Sequence, residues 1–373
     1  MKILGIDTIL HDACIAIMDD SRVLSNEKSH TSMLLANQSL LTLTAIHVRE
    51  IGATLRDALK KANIPMRDIS LIAANNSGSL LSNVLIGLIV ANTLSAAVDV
   101  PIIDVSHQEG HIFSNWIERN PADFSFPILV FSASGGHSLT ALLHKDDFKF
   151  NVISESRGIK RGTKKIIEFA GVGFLFSKIA LWLKLDKYRD DIGSDGNFIA
   201  RLAKKGDAKR FIFAPKKEKE CFCLESNFNG LMTYIYRLIR KEKIWHRVLS
   251  DKFIFDVAAG FENSLAEIIT DCLCDLGRRY KAKEIHLVGG ISANEVITSR
   301  LIMKTSMAGI TGRYPKAKSY CTDNAAMIAS AGYHKFIKDT KRYAKNRYLD
   351  IKSDLVLERM AIEQFTKAGK RLG

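Results

Sequence analysis

The sequence predicts an α/β protein in which two similar halves follow one another along the chain. At 373 residues the chain is long for one compact core. An apolar strand that ends in a polar turn begins each half, at residues 2–7 and again at 127–136. After each of these strands come two short strands and then helices that alternate with strands, an order typical of α/β folds. We expect a cleft between the halves.

The first half is predicted to be a three-stranded meander followed by alternating helices and strands. Apolar runs bounded by turn residues predict strands at 2–7, 14–19 and 22–26. The elements expected next are a helix at 40–62, a strand at 69–74, an apolar helix at 80–98, a strand at 100–105 and a helix at 107–117. Pro121 follows the last helix and ends it.

The second half is predicted to repeat this order. The expected elements are strands at 127–136, 138–145 and 148–156, helices at 166–185, 196–205, 229–247 and 255–280, a strand at 284–290, and helices at 293–303 and 324–336. The last helix is rich in small residues and is able to pack closely. We therefore assign 1–120 to the first half, 121–340 to the second half and 341–373 to a basic C-terminal extension.

The composition is that of a soluble globular protein. Hydrophobic residues make up 47% of the chain and charged residues 25%. The longest apolar run, 84–98, is interrupted by Gly87 and Asn92 and is shorter than the ~20 residues that a membrane span needs. The six cysteines lack the CxxC spacing of zinc knuckles. We therefore expect reduced thiols, a cytoplasmic protein and no membrane partner.

Positive charge is in excess and is clustered. The formal net charge is +14, and basic residues concentrate at 156–165, 203–210, 216–220 and 237–247. Such clusters are typical of proteins that bind nucleic acid. From charge alone, a solvated basic surface without a polyanionic partner remains the alternative.

Two histidines stand four residues apart in the stretch SHQEGH, 106–111. On a helix, His107 and His111 would lie on the same face, where two imidazoles are able to bind one metal ion. Glu109 lies between them and points elsewhere, so the pattern differs from the HExxH of zinc proteases. From the spacing alone, a metal pair and two packed helix-face histidines both remain open.

Three turns follow apolar strands, at 5–12, 132–137 and 288–294. In the second turn, Gly135 and Gly136 would let backbone N–H groups approach a phosphate. In the third turn, Gly289 and Gly290 open a helix whose N-terminus favours an anion or a ribose. In a duplicated chain, the three turns together predict the nucleotide site of an actin-like ATPase, the ASKHA or RNase H-like class of folds.

Five motifs stand in a fixed order: SHQEGH (106–111), VFSASGGHSL (130–139), FNGLMT (228–233), LVGGISAN (287–294) and CTDNAAMIASAG (321–332). In these motifs and their spacing the chain resembles the TsaD family, which makes threonylcarbamoyladenosine in tRNA. The resemblance runs over residues 1–338, and CTDNAAMIA is its most specific part. It implies an actin-like fold and an acyltransferase activity.

The resemblance also implies the ligands of a metal and of a nucleotide. His107, His111 and Asp323 would bind one divalent metal ion, iron or zinc. The positions implied for ATP or an adenylate are Ser132, Ala133, Ser134, Gly135, Gly136, His137, Gly196, Gly289, Gly290 and Asn294. Asn294 would either bind ribose hydroxyls or cap its helix.

The implied reaction transfers a threonylcarbamoyl group from threonylcarbamoyl-AMP to the exocyclic amine of an anticodon-loop adenosine in tRNA. We assign catalytic roles to His11, Asp12 and His137. Beside tRNA, the resemblance implies two protein partners, a TsaB-like paralogue and a TsaE-like P-loop ATPase.

The chain departs from the family pattern mainly in its first half. His11 stands where the family has its first acidic residue, Asp12 stands where it has a glutamate, and Ser177 replaces a substrate-binding aspartate. Of the family's YPGGP turn only Gly196 is retained, and of its PELASRxH stretch only His47. Three other hypotheses therefore stay open: an O-carbamoyltransferase acting on a small molecule, a non-catalytic subunit and, further off, a sugar or acetate kinase.

Overall fold

The computed structural model describes residues 1–9, 12–29, 40–77, 81–134, 137–145, 150–157, 171–188, 194–213, 224–246 and 248–351. Its first elements are β1 (Lys2–Thr8), β2 (Ala13–Asp19), β3 (Arg22–Lys28), α1 (Leu40–Ala62), β4 (Leu71–Asn75), α2 (Leu81–Val98), β5 (Ile102–Val105) and α3 (His107–Phe113). The later elements are β6 (Ile128–Ala133), β7 (His137–Leu143), β8 (Phe150–Arg157), α4 (Gly171–Leu183), α5 (Asp195–Ala203), α6 (Leu224–His246), α7 (Asp251–Arg279), β9 (Glu284–Val288), α8 (Glu295–Met307), β10 (Thr311–Arg313), α9 (Ala325–Lys338) and α10 (Thr340–Tyr343). All but the short β10 and α10 correspond to predicted elements.

Two five-stranded sheets with the same topology form the framework. The strand order is β3-β2-β1-β4-β5 in one sheet and β8-β7-β6-β9-β10 in the other. In each sheet the first three strands along the chain pair antiparallel, and the last two pair parallel. The repeat confirms the predicted α/β class and the internal duplication.

The chain divides into two compact units. Unit 1 consists of Met1–Asp123 and the chain from Pro315 onward, and unit 2 of Phe124–Tyr314. The first boundary lies close to the predicted one at 120. The second boundary differs, because the prediction kept 315–340 in the second half whereas α9 packs on β1, β4 and β5 of unit 1.

Small residues explain why α9 packs on the sheet of unit 1. A Cβ added to Gly5 of β1 would lie 2.3 Å from the carbonyl oxygen of Ala325 on α9. A Cβ added to Gly332 of α9 would lie 2.4 Å from the Cβ of Ala73 on β4. Only glycine at these two positions allows the backbones to approach so closely, which confirms the predicted close packing of this helix.

The other face of the same sheet packs against α1 and α2. Leu4 and Ile6, which flank Gly5 on β1, join a buried cluster with Val84 and Leu88 of α2, as the two-residue period of a strand requires. Among the described helices, α2 alone is long and apolar enough to span a membrane by length and composition. Its buried apolar side chains, Val84, Ile86, Leu88 and Ala91, are part of the core of unit 1.

The described part of the C-terminal extension packs on unit 1. Asn346 accepts a hydrogen bond from the backbone N–H of Ile102 at its carbonyl oxygen (3.0 Å) and donates its Nδ2 to the carbonyl of Ile102 (2.8 Å). Asn92 of α2 bonds in the same reciprocal way to the backbone of Leu349. Residues 341–351 therefore cover the free edge of β5, and 352–373 lie outside the described residues.

The central helix of unit 2 is α7. It begins where the Ser250 hydroxyl accepts a hydrogen bond from the N–H of Phe253 (3.2 Å), a standard N-cap. It packs against α5, α6 and α8, and Phe253, Phe261 and Leu273 are buried in the core of the unit. The described cysteines, Cys14, Cys272, Cys274 and Cys321, are free thiols and are buried.

Replacing Gly5 with alanine should destabilise the protein by about 1–3 kcal/mol, because the new methyl group overlaps the backbone of α9. A matched control is Gly52→Ala on the exposed side of α1, where a Cβ would meet nothing closer than Arg56 at 3.9 Å. The control should stabilise the helix by about 0.5–1 kcal/mol. Urea unfolding of both variants measures the difference, and equal effects would contradict the packing described for Gly5.

Candidate metal centre

Three polar side chains converge in unit 1. Nε2 of His107 lies 3.2 Å and Nε2 of His111 lies 3.1 Å from Oδ1 of Asp323. One ligand atom from each residue falls within 4.8 Å of the other two, and the two imidazole rings meet edge to face with centroids 4.7 Å apart. Two imidazole nitrogens and one carboxylate oxygen are a donor set suited to iron or zinc.

Local sequence fixes where each ligand stands. Ser106 caps α3: its hydroxyl accepts from the N–H of Glu109 (3.2 Å), and the Glu109 carboxylate accepts from the N–H of Ser106 (2.7 Å). This capping box starts α3 at His107. Asn324 caps α9 by accepting from the N–H of Met327 (3.1 Å), which leaves Asp323 directly before the capping residue. Glu109 therefore has a structural role in capping α3. This role agrees with the prediction that Glu109 points away from the two histidines.

Two contacts hold α3 against α9. A Cβ on Gly110 would lie 2.8 Å from Cδ1 of Ile328, so glycine lets α3 approach the side chains of α9 closely. The Lys335 ammonium of α9 donates to the carbonyl of Asp104 (2.6 Å) and lies 3.4 Å from both carboxylate oxygens of Glu109. Because α3 carries both histidines and α9 follows Asp323, these contacts set the distance between the ligands.

A second layer of polar groups orients His107. Its Nδ1 lies 3.2 Å from Oδ2 of Asp7, and Oδ1 of Asp7 accepts a hydrogen bond from Nδ2 of Asn75 (2.8 Å). A carboxylate on the outer nitrogen fixes the ring and its tautomer, as is common for metal-binding histidines. Sequence reasoning gave Asp7 and Asn75 no role. Their position in the sequence could have indicated a role, since each is a polar residue near the end of an apolar parallel strand.

The pKa shifts of His107 and Asp323 indicate a site that favours a cation. Burial opposes a charge on His107, but Asp7 and Asp323 outweigh it and raise the pKa of His107 to about 10. Burial likewise opposes ionisation of Asp323, yet His107 and His111 hold its pKa well below the usual range. Without a metal, a proton on His107 therefore supplies the positive charge between the two carboxylates, and a bound divalent cation would displace it.

His111 provides the test of whether a metal fits. The residue is fully buried, and neither of its ring nitrogens has a hydrogen-bond partner in the described part of the chain. Nε2 is close to Asp323 but is not aligned for a hydrogen bond. Buried polar atoms without partners are rare and costly, and a metal bound by Nε2 would remove this cost for that atom.

In unit 2 two of the predicted nucleotide turns lie side by side. β6 and β9 are parallel neighbours, so their carboxyl ends meet. Gly289 has φ +80°, and a Cβ there would lie 2.5 Å from the carbonyl oxygen of Ala133. A Cβ on Gly290 would meet nothing within 4 Å, which leaves open space beside this turn. Ser132 and Ala133 are buried within β6, and Ser134 is half-buried.

The other predicted nucleotide positions differ in their surroundings. Asn294 caps α8 by accepting from the N–H of Ile297 (3.0 Å) and donates to Glu262, so capping is the role observed. Gly196 lies in the first turn of α5, where Ser194 and Phe176 are its nearest neighbours. Gly135 and Gly136 lie outside the described residues, and of His137 only the backbone at the start of β7 is described.

Of the other predicted catalytic residues, His11 lies outside the described residues and Asp12 follows it in the turn between β1 and β2. The carbonyl oxygen of Asp12 accepts from the N–H of Ile9 (3.3 Å). His47 of α1 is buried, and its Nε2 bonds to the carbonyl oxygen of Ile9 at 2.7 Å. His47 therefore holds the backbone that directly follows β1.

Comparison with known proteins decides the family. A sequence model of the tRNA N6-adenosine threonylcarbamoyltransferase (TsaD) family matches residues 43–330. A protein of that name from Christiangramia forsetii is 30% identical over 359 residues, 93% of this chain and 98% of the relative. Another from Mesoplasma florum is 27% identical over 342 residues, 90% of this chain and 98% of the relative.

The chain belongs to the tRNA N6-adenosine threonylcarbamoyltransferase family. It is therefore a transferase, and the TsaD family implies a divalent metal and an ATP-type ligand. The resemblance predicted from the five motifs is confirmed.

Solved structures confirm the fold. HypF from T. kodakarensis superimposes with a TM-score of 0.56 at 16% identity, covering 90% of this chain and 48% of HypF. Full-length HypF in a phosphate- and nucleotide-bound form gives 0.52 at 13% identity, covering 92% of this chain and 47% of HypF. With the repeated sheet topology, these similarities support the predicted actin-like class for this TsaD family member.

Asp7→Asn should weaken metal binding about 10- to 100-fold, because the amide no longer provides a charged acceptor for the outer nitrogen of His107. Titration of the full chain with Zn²⁺ measures the dissociation constant. Asp57→Asn on the exposed side of α1 is the matched control and should bind Zn²⁺ like the wild type. Equal Zn²⁺ affinity in Asp7→Asn and the control would contradict the orienting role of Asp7.

Proposed function

We propose that this chain transfers a threonylcarbamoyl group from threonylcarbamoyl-AMP to the exocyclic amine of an anticodon-loop adenosine in tRNA. The observation that carries the proposal is the convergence of His107, His111 and Asp323 within 4.8 Å. Membership of the TsaD family supports the reaction. The name shared by the relatives favours tRNA over a small molecule as the acceptor.

In the proposed site, His107, His111 and Asp323 hold one ion, iron or zinc. When bound, the metal supplies a Lewis acid for the carbonyl or phosphate oxygens of the adenylate. The chain itself keeps the ligands in place: Asp7, held by Asn75, fixes the ring of His107. Burial of both histidines keeps competing water away from the imidazoles.

The adenylate is proposed to bind unit 2 at the carboxyl ends of β6 and β9. Support comes from the open space beside Gly290 and from the position of Ser134 at the end of β6. Ligands of α/β sheets commonly bind at such strand ends. The neighbouring Gly135, Gly136 and His137 complete the proposed turn, and Gly196 is assigned to the same ligand on the motif alone.

The proposed reaction exchanges one bond of the carbamoyl carbon for another. The adenosine amine forms a bond to this carbon, the bond to the phosphate oxygen breaks, and AMP leaves with the electron pair. The amine must lose one proton, and general bases of suitable pKa accelerate such transfers. We propose His11, Asp12 and His137 for proton transfer and for hydrogen bonds to the carbamoyl or phosphate oxygens.

The proposed protein partners are a TsaB-like paralogue and a TsaE-like P-loop ATPase, in the cytoplasm. On unit 1, the helices α1 and α2 carry apolar side chains that are about half exposed or more: Val48, Leu85 and Ile89. Exposed apolar patches commonly mark protein interfaces. This surface supports a contact with the paralogue.

Expression of the chain in a TsaD-depleted bacterium should restore threonylcarbamoyladenosine in its tRNA, measured by nucleoside mass spectrometry. His107→Ala should restore none, because the metal loses one of its ligands. His144→Ala, directly after β7, is the matched histidine control and should restore the nucleoside like the wild type.

Two results would contradict the proposal. Failure of the wild type, with the partners supplied, would argue against tRNA as the acceptor. Restoration by His107→Ala at the wild-type level would argue against a catalytic role for the metal centre.

A further inference from the structure

One face of α6 in unit 2 combines aromatic and basic side chains. We call it the α6 face and define it by Tyr234, Tyr236, Arg237, Arg240, Lys241 and Trp245, all exposed. The aromatic members are unusually open to solvent: Tyr234 is 60%, Tyr236 45% and Trp245 73% exposed. Trp245 is the most apolar of them, and most of its ring is open to solvent.

The order of these residues along the helix makes the face continuous. Tyr234, Arg237, Lys241 and Trp245 follow one another at spacings of three or four residues, so they lie in one row. At 1.5 Å per residue the row is about 16 Å long. Tyr236 and Arg240 form a parallel row beside it. Aromatic rings therefore stand at both ends of a basic stretch.

Packing of the helix involves only two of these side chains: the ring of Tyr234 meets that of Phe213 edge to face, and the ring of Tyr236 lies 5.1 Å from that of Trp182. The opposite side of α6 supplies Leu231, Ile235 and Ile239 to the core of unit 2, where each is buried. The usual preference for cations at helix C-termini accounts for Lys243 and His246 in the last turn. It does not account for Arg237 or Arg240, which lie further back along the helix.

Among the described residues, no acid neutralises the positive charge of the face. Arg237, Arg240 and Lys241 form no ion pair within the described ranges of the chain. The nearest acid on the helix, Glu242, lies 3.7 Å from His246. Beside the face, Lys243 donates to the carbonyl of Trp182 (2.7 Å), and burial and then the charge of Lys184 lower the pKa of Lys243.

We infer that the α6 face is a binding surface for tRNA, with Arg237, Arg240 and Lys241 on phosphates and Trp245 stacked on an unpaired base. Charge complementarity is the main argument, because three exposed cations that form no ion pair with the described residues match a polyanion. The aromatic rings are the second argument, since stacking on Trp or Tyr is how proteins hold unpaired RNA bases. The inference rests on the proposed function, which makes tRNA the substrate.

The test measures binding of a labelled, unmodified tRNA to the full chain by fluorescence anisotropy, from about 50 to about 200 mM salt. The triple variant Arg237→Gln, Arg240→Gln and Lys241→Gln should weaken binding at least about tenfold and lower the salt slope by about 2–3. Trp245→Ala should weaken binding about fivefold or more without changing the slope, and Trp245→Phe should restore it because a ring is retained.

The matched control removes the same charge elsewhere on unit 2, with Arg279→Gln, Lys281→Gln and Lys283→Gln. These residues are exposed and lie outside the α6 face and outside the four basic clusters of the sequence. The control should bind tRNA within about twofold of the wild type, since distant charges are largely screened. Circular dichroism of each variant checks that the fold is intact.

The outcomes separate this inference from the proposed function. Equal losses in the α6 and control triples would overturn the inference and show an effect of net charge alone. Normal tRNA binding by the α6 triple, with loss of a protein partner instead, would also overturn it while leaving the tRNA reaction standing. Absence of tRNA binding by the wild type, together with failure to restore the modified nucleoside, would overturn both.

Discussion

The structure of unit 1 depends on the close contact between α9 and the strands and helix beneath it. Gly5 and Gly332 let α9 lie on the sheet, and Gly110 lets α3 lie on α9. Asp323 lies two residues before the start of α9 and the two histidines are on α3, so this packing determines the separation of the three candidate ligands. Interiors are packed as densely as organic crystals. The displacement caused by a methyl group added at these contacts would therefore reach the site.

Electrostatic interactions also favour a metal ion at the candidate site. Two carboxylates, Asp7 and Asp323, face His107 from its two ring nitrogens, while His111 is buried with both nitrogens lacking hydrogen bonds in the described structure. Such an arrangement has little value as a core, because burying charged and unpaired polar groups costs free energy. It becomes favourable with a divalent cation between the imidazoles and Asp323. The destabilising features of the metal-free site are thus the features that a metal would use.

Most of the fold could be predicted from periodicity, because strands and helices leave local signatures in the sequence. The helix at 40–62 matches α1 to the residue, and the apolar strands lie close to their predicted positions. The return of α9 to unit 1 could not be read in this way, since it depends on Gly5 and Gly332, which meet residues far away in the sequence only after folding. The short β10 carries too few residues for a pattern.

The candidate site likewise has a part that the sequence predicts and a part that it does not. His107, His111 and Asp323 were predictable from motifs, whereas Asp7 and Asn75 become neighbours of His107 only through the parallel alignment of β1, β4 and β5.

The most direct test of the account is anomalous diffraction from crystals of the full chain grown with the metal. One peak bonded to His107, His111 and Asp323 is the predicted result. A peak on other residues, or none at this position, would contradict a metal centre in unit 1.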